Sequence, residues 1–303
     1  MEPILILGTG ALAVLFAARL GRAGIPVALL GSWPEGLAAL RQHGARLSLP
    51  EGGELSVPVQ VFAWDEPCVS ARLALILVKS WKTAVAASRL AGCLSPDGLA
   101  VSLQNGLGNR EQLEGALGAE RVALGVTTSG ATLAGPGLVH PGGEGPVWLE
   151  AHPRLGPLAA ALQAAGFEVR QVANADSLVW GKLVVSAAIN PLTALLRVPN
   201  GELLERPAAR RRMAGLAQET AAVAAALGIR LPFDDPPAAA EEVARQTAGN
   251  RSSMLQDVER GAPTEIDAIC GAVVRLGESA GVATPLNQRI WRQVKALSAP
   301  KSR

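Results

Sequence analysis

The sequence predicts an α/β domain followed by an all-helical domain. Short, continuous apolar runs alternate with helix-period segments in the first half of the chain, whereas the pattern after Asn174 is helical to the end. The 303 residues are enough for two domains, because domains typically contain roughly 100–200 residues. Composition shifts between Gly166 and Asp176. We therefore predict an N-terminal domain over residues 1–170 and a C-terminal domain over residues 171–303.

A glycine motif lies in the first strand–helix–strand unit. The apolar run Ile4–Leu7 is typical of a strand buried on both faces, and a helix-period segment and the strand-like run Pro26–Leu30 follow it. The connection G-x-G-x-x-A between the first strand and the helix predicts a Rossmann-type dinucleotide-binding domain. The first glycine permits a tight turn, and the second lets the backbone approach a pyrophosphate at the helix N-terminus. The predicted contacts are Gly8, Thr9, Gly10, Ala11, Leu12 and Ala13.

The end of the second strand bears on the choice between NAD and NADP. A carboxylate there would hold the ribose 2′-hydroxyl, and a basic residue would accept a 2′-phosphate. The strand ends in Leu30-Gly31-Ser32-Trp33, which contains neither. Because no acid repels a phosphate and Ser32 can donate a hydrogen bond to one, the sequence favours NADPH.

Two polar side chains follow later strands of the predicted sheet. Lys79 comes after the apolar run Leu73–Val78, and Asn105 comes shortly after Leu99–Leu103. Ligands of open α/β sheets bind beyond the carboxyl ends of the strands. The alternatives are a solvated loop for Lys79 and a turn for Asn105. Their positions at successive strand ends favour cofactor or substrate contacts.

A polar stripe interrupts an apolar helical segment in the second half. Lys182, Ser186 and Asn190 are each four residues apart, so they share one face of a helix. From the residues alone, two interpretations stay open: a solvated helix face or a polar stripe against the core. In the second case burial lowers the pKa of the ammonium. We expect Pro191 to kink or interrupt this helix.

Composition argues against several other classes of protein. The net charge of +2 offers no electrostatic basis for binding nucleic acid or an anionic membrane. No N-terminal leader pattern and no apolar run of roughly 18 residues is evident, so we expect a cytoplasmic protein. The cysteines are odd in number and far apart, and the histidines lack metal-ligand spacing, so neither a disulfide framework nor a metal site is predicted. These residues are Cys68, Cys93 and Cys270, and His43, His140 and His152.

Several further motifs occur in a fixed order along the chain. They are Gly8-x-Gly10-Ala11-Leu12, Val78-Lys79-Ser80, Gln104-Asn105-Gly106-Leu107-Gly108, Trp180-x-Lys182-Leu183, Ile189-Asn190-Pro191-Leu192-Thr193-Ala194-Leu195, Pro199-Asn200-Gly201-Glu202-Leu203, Ser252-Ser253-Met254-Leu255-Gln256-Asp257 and Thr264-Glu265-Ile266-Asp267. In this order and spacing, the chain resembles the ketopantoate reductases (2-dehydropantoate 2-reductases) over nearly its whole length.

The resemblance implies a Rossmann domain, a helical domain like the C-terminal domain of 6-phosphogluconate dehydrogenase, and an active site in the cleft between them. It implies NADPH-dependent, metal-free reduction of 2-dehydropantoate to (R)-pantoate, toward pantothenate and coenzyme A. Lys182 would be the general acid, and Glu265 would close over the site. The implied cofactor contacts further include Lys79, Asn105, Ala131 and Glu265, and the implied substrate contacts are Asn105, Lys182, Ser186, Asn190, Asn200, Asn250 and Ser253.

The chain departs from the family pattern at two places. Ser186 stands where the family commonly has an asparagine, and Gly31-Ser32 stands where it often has an arginine. Because of Ser186, a related reductase that acts on another branched 2-keto acid remains an alternative function. A non-catalytic, NADP-sensing Rossmann protein is the alternative from another class, which the retained Lys182 and Glu265 argue against. The alanine-rich helices of the second half suit either a homodimer surface or a core.

Overall fold

The structure is a computed structural model that describes residues 2–49 and 51–298 and divides into two compact units. The N-terminal unit runs to Gln104 and then from Asn109 to Ala175. The helical unit comprises Asn105–Gly108 and the described residues from Asp176 onward. The division after Ala175 lies slightly beyond the predicted boundary of 170/171, because a strand over Val169–Val172 still pairs within the N-terminal unit.

Strands and helices alternate through the N-terminal unit. Its strands are β1 (Ile4–Leu7), β2 (Val27–Gly31), β3 (Ala45–Ser48), β4 (Glu54–Val57), β5 (Gln60–Ala63), β6 (Ala71–Ile76), β7 (Leu94–Ser102), β8 (Val122–Thr127), β9 (Ala131–Gly135), β10 (Leu138–Pro141), β11 (Val147–Glu150) and β12 (Val169–Val172). Its helices are α1 (Ala11–Arg22), α2 (Pro34–His43), α3 (Thr83–Ala91), α4 (Asn109–Leu117) and α5 (Gly156–Ala164), with short 3₁₀ turns at Ser80–Lys82 and Ala119–Arg121.

The main sheet has the strand order of a dinucleotide-binding fold. Its eight strands run β12-β11-β8-β7-β6-β1-β2-β5, and the six from β8 to β5 are parallel. Strand β1 pairs with β2 on one side and β6 on the other, so the order reverses there. Such a switch point is where ligands of open α/β sheets bind, beyond the carboxyl ends of the strands. The predicted Rossmann-type fold is confirmed.

Helices cover both faces of this sheet, which explains the continuous apolar runs of its strands. Alternate residues of a strand point to opposite faces. Ile4 and Ile6 of β1 belong to one buried cluster that includes Phe16 of α1, whereas Leu5 and Leu7 belong to a second cluster. Because neither face meets solvent, the run cannot show the polar–apolar alternation of a half-exposed strand.

A second, four-stranded sheet of order β4-β3-β10-β9 was not predicted. Strand β3 is antiparallel to β4 and parallel to β10, which is antiparallel to β9. The segments Leu138–His140 and Val147–Leu149 lie in β10 and β11. Each has one antiparallel neighbour, since β10 pairs with β9 and β11 pairs with β8, but each also has a parallel one.

A disulfide joins Cys68 and Cys93, contrary to the expectation from the cysteine pattern. Their Cα atoms are 6.0 Å apart, although 25 positions separate them in the sequence. Cys68 precedes β6 and Cys93 follows α3, and the backbone N–H of Ala71 donates to the Cys93 carbonyl oxygen. Strand β6 and helix α3 thus bring the two cysteines next to each other, which the spacing of the cysteines in the sequence does not reveal. Cys270 is a buried free thiol.

Helices make up the second unit, as predicted. They are α6 (Asp176–Leu196), α7 (Glu202–Glu205), α8 (Pro207–Ala226), α9 (Pro236–Gln246), α10 (Ser253–Glu259), α11 (Cys270–Ala280) and α12 (Pro285–Ser298). Helix α6 is central and packs against α8, α9, α10 and α12. Helix α11 begins at Cys270, after an irregular segment that contains Pro263 and a turn over residues 266–269.

Pro191 does not interrupt α6, which continues to Leu196. A proline lacks the N–H that would bond the carbonyl four residues earlier, here that of Ala187. The thiol of Cys270 in α11 instead lies 3.9 Å from that oxygen, within the range of a sulfur hydrogen bond. A buried thiol from another helix therefore provides a donor to the carbonyl that Pro191 leaves without its helical partner.

Helix α6 is also long and apolar enough to cross a bilayer by length and composition, which the sequence reading did not anticipate. Core helices pass the same test. Here 61% of the apolar window is buried inside the structure. Packing against the other helices of its unit therefore accounts for the apolarity of α6.

Candidate active site

The glycine motif forms an open turn at the N-terminus of α1. Gly8 has φ +133°, and a Cβ there would lie 3.0 Å from the Leu77 carbonyl oxygen, so glycine is required. A Cβ on Gly10 would meet nothing within 4 Å. Gly10 is the N-cap of α1, where no side chain caps the helix and no acid occupies the first turn. The helix dipole and N–H groups are therefore suited to an anion such as pyrophosphate.

Lys79 and Ser32 lie beyond the carboxyl ends of strands that flank β1. Half-buried Lys79 follows β6 and precedes the 3₁₀ turn Ser80–Lys82. Ser32 follows β2, and its hydroxyl oxygen accepts a hydrogen bond from the Lys82 ammonium at 2.5 Å. The sequence analysis did not select Lys82. A sequence signal for Lys82 was its position one 3₁₀ turn after Lys79. The turn Ser80–Lys82 directs the Lys82 side chain toward the end of β2.

Ala131 belongs to the smaller sheet and does not directly follow β2 or β6. It begins β9 of the smaller sheet and pairs with Pro141 of β10. The chain reaches it from β8 of the main sheet, which ends at Thr127. Ala131 thus follows the carboxyl end of a main-sheet strand, as Lys79 and Ser32 do.

The N-terminal unit fits a dinucleotide on its own geometry. Open space at Gly10, the uncapped N-terminus of α1 and the switch point beside β1 provide the pyrophosphate cradle. Trp64 follows directly on β5, which neighbours β2, and its indole Nε1 is buried without a hydrogen-bond partner. A buried donor without a partner is uncommon, and a ligand is one way to satisfy it.

A second polar cluster forms within the helical unit around Glu265. The Asn105 side-chain amide donates to a Glu265 carboxylate oxygen at 3.4 Å, and only 5% of the Glu265 surface is exposed. Backbone contacts fix this approach, because Leu107 N–H donates to the Ala268 carbonyl oxygen at 2.9 Å. Gly106 has φ +79°, and a Cβ there would lie 2.6 Å from the same oxygen. The segment Asn105–Gly108 is thereby held against the turn that carries Glu265.

Lys182 is electrostatically coupled to this cluster. Burial lowers the pKa of its ammonium from 10.5 to about 8, while the charge of Glu265 opposes that shift. An amine with a pKa near neutrality is a proton donor matched to chemistry at physiological pH. Asn105 thus contacts Glu265, and the charge of Glu265 acts on Lys182, so three of the predicted site residues are linked within the helical unit.

The polar stripe of α6 is neither fully solvated nor fully buried. Lys182, Ser186 and Asn190 are each half-buried, whereas Leu183, Ala187 and other α6 residues around them are buried. This face of α6 thus keeps partly accessible polar groups beside an apolar core, as a site for a small polar molecule requires.

The remaining predicted substrate residues form a separate network near the end of α6. Asn200 is buried, and its backbone N–H donates to the Asn250 carbonyl oxygen at 3.0 Å. Its amide Nδ2 donates to the Thr247 hydroxyl at 2.9 Å, while its Oδ1 is buried without a partner. Asn200 therefore holds a turn in place while retaining one unused acceptor.

Ser253, an implied substrate contact, is the first residue of α10. Its neighbour Ser252 is the N-cap, and the Ser252 hydroxyl oxygen accepts from Leu255 N–H at 3.1 Å. That hydroxyl also lies 2.7 Å from the Thr193 hydroxyl of α6. Ser252 thus fastens α10 to the helix that carries the polar stripe, a role that the sequence analysis did not assign.

Comparisons with known proteins cover both units. The family profile described as ketopantoate reductase PanE/ApbA matches residues 4–154, and its C-terminal counterpart matches residues 174–298. The 2-dehydropantoate 2-reductase of Archaeoglobus fulgidus is 35% identical over 304 aligned positions, covering 99% of each chain.

Two solved structures match the chain over nearly its whole length. A PanE/ApbA family ketopantoate reductase from Ralstonia eutropha has a TM-score of 0.90 and 32% identity, with 98% of each chain covered. A D-mandelate dehydrogenase in a ternary complex with NADH and anilino(oxo)acetate has a TM-score of 0.92 and 28% identity, again over 98% of each chain.

Proposed function

The chain belongs to the ketopantoate reductase family, and from this we propose that it reduces 2-dehydropantoate to (R)-pantoate with NADPH. The reaction would serve pantothenate and coenzyme A synthesis in the cytoplasm. The observation that carries the proposal is the coupled pair within the helical unit: Lys182, with a pKa lowered to about 8, and buried Glu265.

Lys182 acts as the general acid. NADPH, when bound, supplies a hydride to the ketone carbon, and negative charge then grows on the carbonyl oxygen. A positioned proton donor stabilises that charge, typically for about 10²–10⁴ in rate. With no tyrosine in the chain, a lysine whose pKa is near neutrality is the suitable donor. Lys182 gives its proton to the developing alkoxide and recovers one from solvent.

Glu265 keeps that donor charged. Its negative charge raises the pKa of Lys182 against the lowering caused by burial. Without the carboxylate a larger share of Lys182 would be neutral at pH 7 and unable to donate. Asn105 donates to Glu265 and so holds the carboxylate in position.

The polar groups beside Lys182 bind the substrate. Ser186 and Asn190 lie one and two turns farther along the same face of α6, and their side chains suit the hydroxyl groups of a branched hydroxy-keto acid. The substrate carboxylate needs donors, which the Ser253 hydroxyl and the Asn250 side-chain amide supply, whereas Asn200, whose backbone N–H and Nδ2 are already engaged, holds the turn and offers its Oδ1 as an acceptor. Together these groups orient the ketone toward Lys182.

The N-terminal unit holds the cofactor. The turn from Gly8 to Ala13 would receive the pyrophosphate, and Ser32 would face the adenosine ribose. Lys79, which follows β6, and Ala131, which begins β9, would contact the nicotinamide half. That the reaction needs no metal ion stays a prediction.

A second candidate is the reduction of another 2-keto acid. Two observations favour it: the NADH-bound D-mandelate dehydrogenase has a TM-score of 0.92, and Ser186 is shorter than the asparagine usual in the family. A shorter side chain leaves room for a larger substituent next to the carbonyl. The reaction type and the role of Lys182 are the same in both candidates.

The test is a spectrophotometric assay of the purified chain. NADPH absorbance should fall on addition of ketopantoate, with NADH and the aryl 2-keto acid benzoylformate run in parallel. Faster turnover of benzoylformate would select the second candidate. No turnover of either acid with either cofactor would refute the reductase assignment.

A further inference from the structure

Lys82 is a cation directed at the end of β2. Its ammonium donates to the Ser32 hydroxyl, which lies one residue beyond the β2 terminus. It also lies 5.4 Å from the ring centroid of Trp64 and 4.9 Å from that of Trp81. Two aromatic faces and one hydroxyl thus hold the ammonium beside the position where dinucleotide folds read the adenosine ribose.

No carboxylate neutralises this cation among residues 2–49 and 51–298, where Lys82 takes part in no ion pair. Two acids follow Trp64 in the chain: Asp65 is exposed, and Glu66 is engaged by Arg41 and by Ala63 N–H. Burial without a charged partner lowers the pKa of Lys82. A half-buried ammonium with no counter-ion is costly, and a dianionic ligand would relieve that cost.

We propose that Lys82, together with Ser32, forms the 2′-phosphate site of this chain and makes it selective for NADPH over NADH. The Lys82–Ser32 hydrogen bond leaves the serine proton free to be donated outward, so a phosphate can receive one bond from the hydroxyl and one from the ammonium. The buried indole N–H of Trp64 is a third donor in the same region. The cation that other members of the family place at the end of the second strand is thus supplied from the turn before α3.

This inference rests on the proposed cofactor but not on the identity of the keto acid. The experiment is calorimetric titration of the full chain with NADP⁺, NAD⁺, 2′,5′-ADP and 5′-AMP. The variants are Lys82→Gln, which removes the charge, and Lys82→Arg, which retains it. Arg72→Gln is the matched control, because Arg72 is an exposed cation in β6 that pairs with Asp97 and removing it also costs one positive charge.

We expect Lys82→Gln to weaken NADP⁺ and 2′,5′-ADP binding roughly tenfold to a hundredfold, the usual size for a charged hydrogen bond to phosphate. Binding of NAD⁺ and 5′-AMP should change less than about threefold. Lys82→Arg should keep most of the phosphate preference, and Arg72→Gln should leave all four affinities unchanged. Far-ultraviolet circular dichroism checks that each variant is folded.

Two results would overturn the inference while leaving the reductase function intact. One is equal binding of NADP⁺ and NAD⁺ by the unaltered chain. The other is a Lys82→Gln variant that keeps its NADP⁺ preference or loses affinity for all four ligands alike. Failure of the unaltered chain to bind any dinucleotide would instead refute the proposed function.

Discussion

Asn105 and Glu265 are hydrogen-bonded within the helical unit, although 160 positions separate them in the sequence. Asn105 belongs to a short segment that follows β7 of the N-terminal unit yet groups with the helices. The contact orients the carboxylate that acts on the pKa of Lys182. The electrostatics of the proposed general acid therefore depend on three distant stretches of chain.

Removing the proposed acid should slow turnover without releasing the cofactor. We expect Lys182→Met to lower kcat for ketoacid reduction by about 10²–10⁴, the usual contribution of a general acid. NADP⁺ affinity measured by calorimetry should stay within about twofold, because the phosphate-binding groups lie in the other unit. Unchanged kcat in this variant would exclude Lys182 as the proton donor.

The pH dependence of reduction should report the pKa of Lys182. The acid must be protonated to donate, so kcat/KM should be flat below pH about 8 and should fall about tenfold per pH unit above it. Oxidation of the hydroxy acid should show the opposite dependence, since it needs the neutral amine. A profile with no break between pH 7 and 10 would contradict this assignment.

Glu265→Gln should move that break to lower pH. The carboxylate raises the pKa of Lys182, so its removal leaves the lowering by burial unopposed. At pH 7 the variant should therefore be less active, and part of the activity should return as the pH is lowered. Asn105→Ala serves as a comparison, because it removes a partner of Glu265 but keeps the charge. A break that stays in place or moves to higher pH would show that Glu265 does not control Lys182.

Ser186 should decide between the two candidate substrates. Ser186→Asn restores the side chain that is usual in the family, so we expect KM for ketopantoate to fall severalfold and KM for benzoylformate to rise. Steady-state kinetics with both acids measure the change. Ser279→Asn, at an exposed position of α11, is the matched control. If both KM values move together, Ser186 does not select the substrate.

The disulfide between Cys68 and Cys93 should contribute measurably to stability. Closing a loop of 25 residues is worth about 3.5 kcal/mol in the chain-entropy model. Urea unfolding should therefore show a lower free energy of unfolding after reduction, and Cys68→Ser/Cys93→Ser should make the protein insensitive to reductant. Thiol titration of the denatured, unreduced chain should count one free thiol, Cys270. Three free thiols would mean that the bond does not form in solution.

Local sequence pattern was sufficient for the Rossmann-type domain and for the stripe on α6. The run Ile4–Leu7, the glycine motif and the strand after it are contiguous, so local geometry determines them. Lys182, Ser186 and Asn190 share a face because of helix periodicity alone. Ordered motifs along the chain were also enough to identify the family.

Contacts between distant segments decided the rest. Pro191 should interrupt a helix by local rules, yet packing and the Cys270 thiol sustain α6 through it. The Cys68–Cys93 bond and the Lys82–Ser32 contact each join segments that no spacing rule connects. Sequence determined which residues could carry charge and chemistry. Tertiary structure decided their neighbours, and because burial and nearby charge set a pKa, it also decided that Lys182 is the group matched to proton donation near neutral pH.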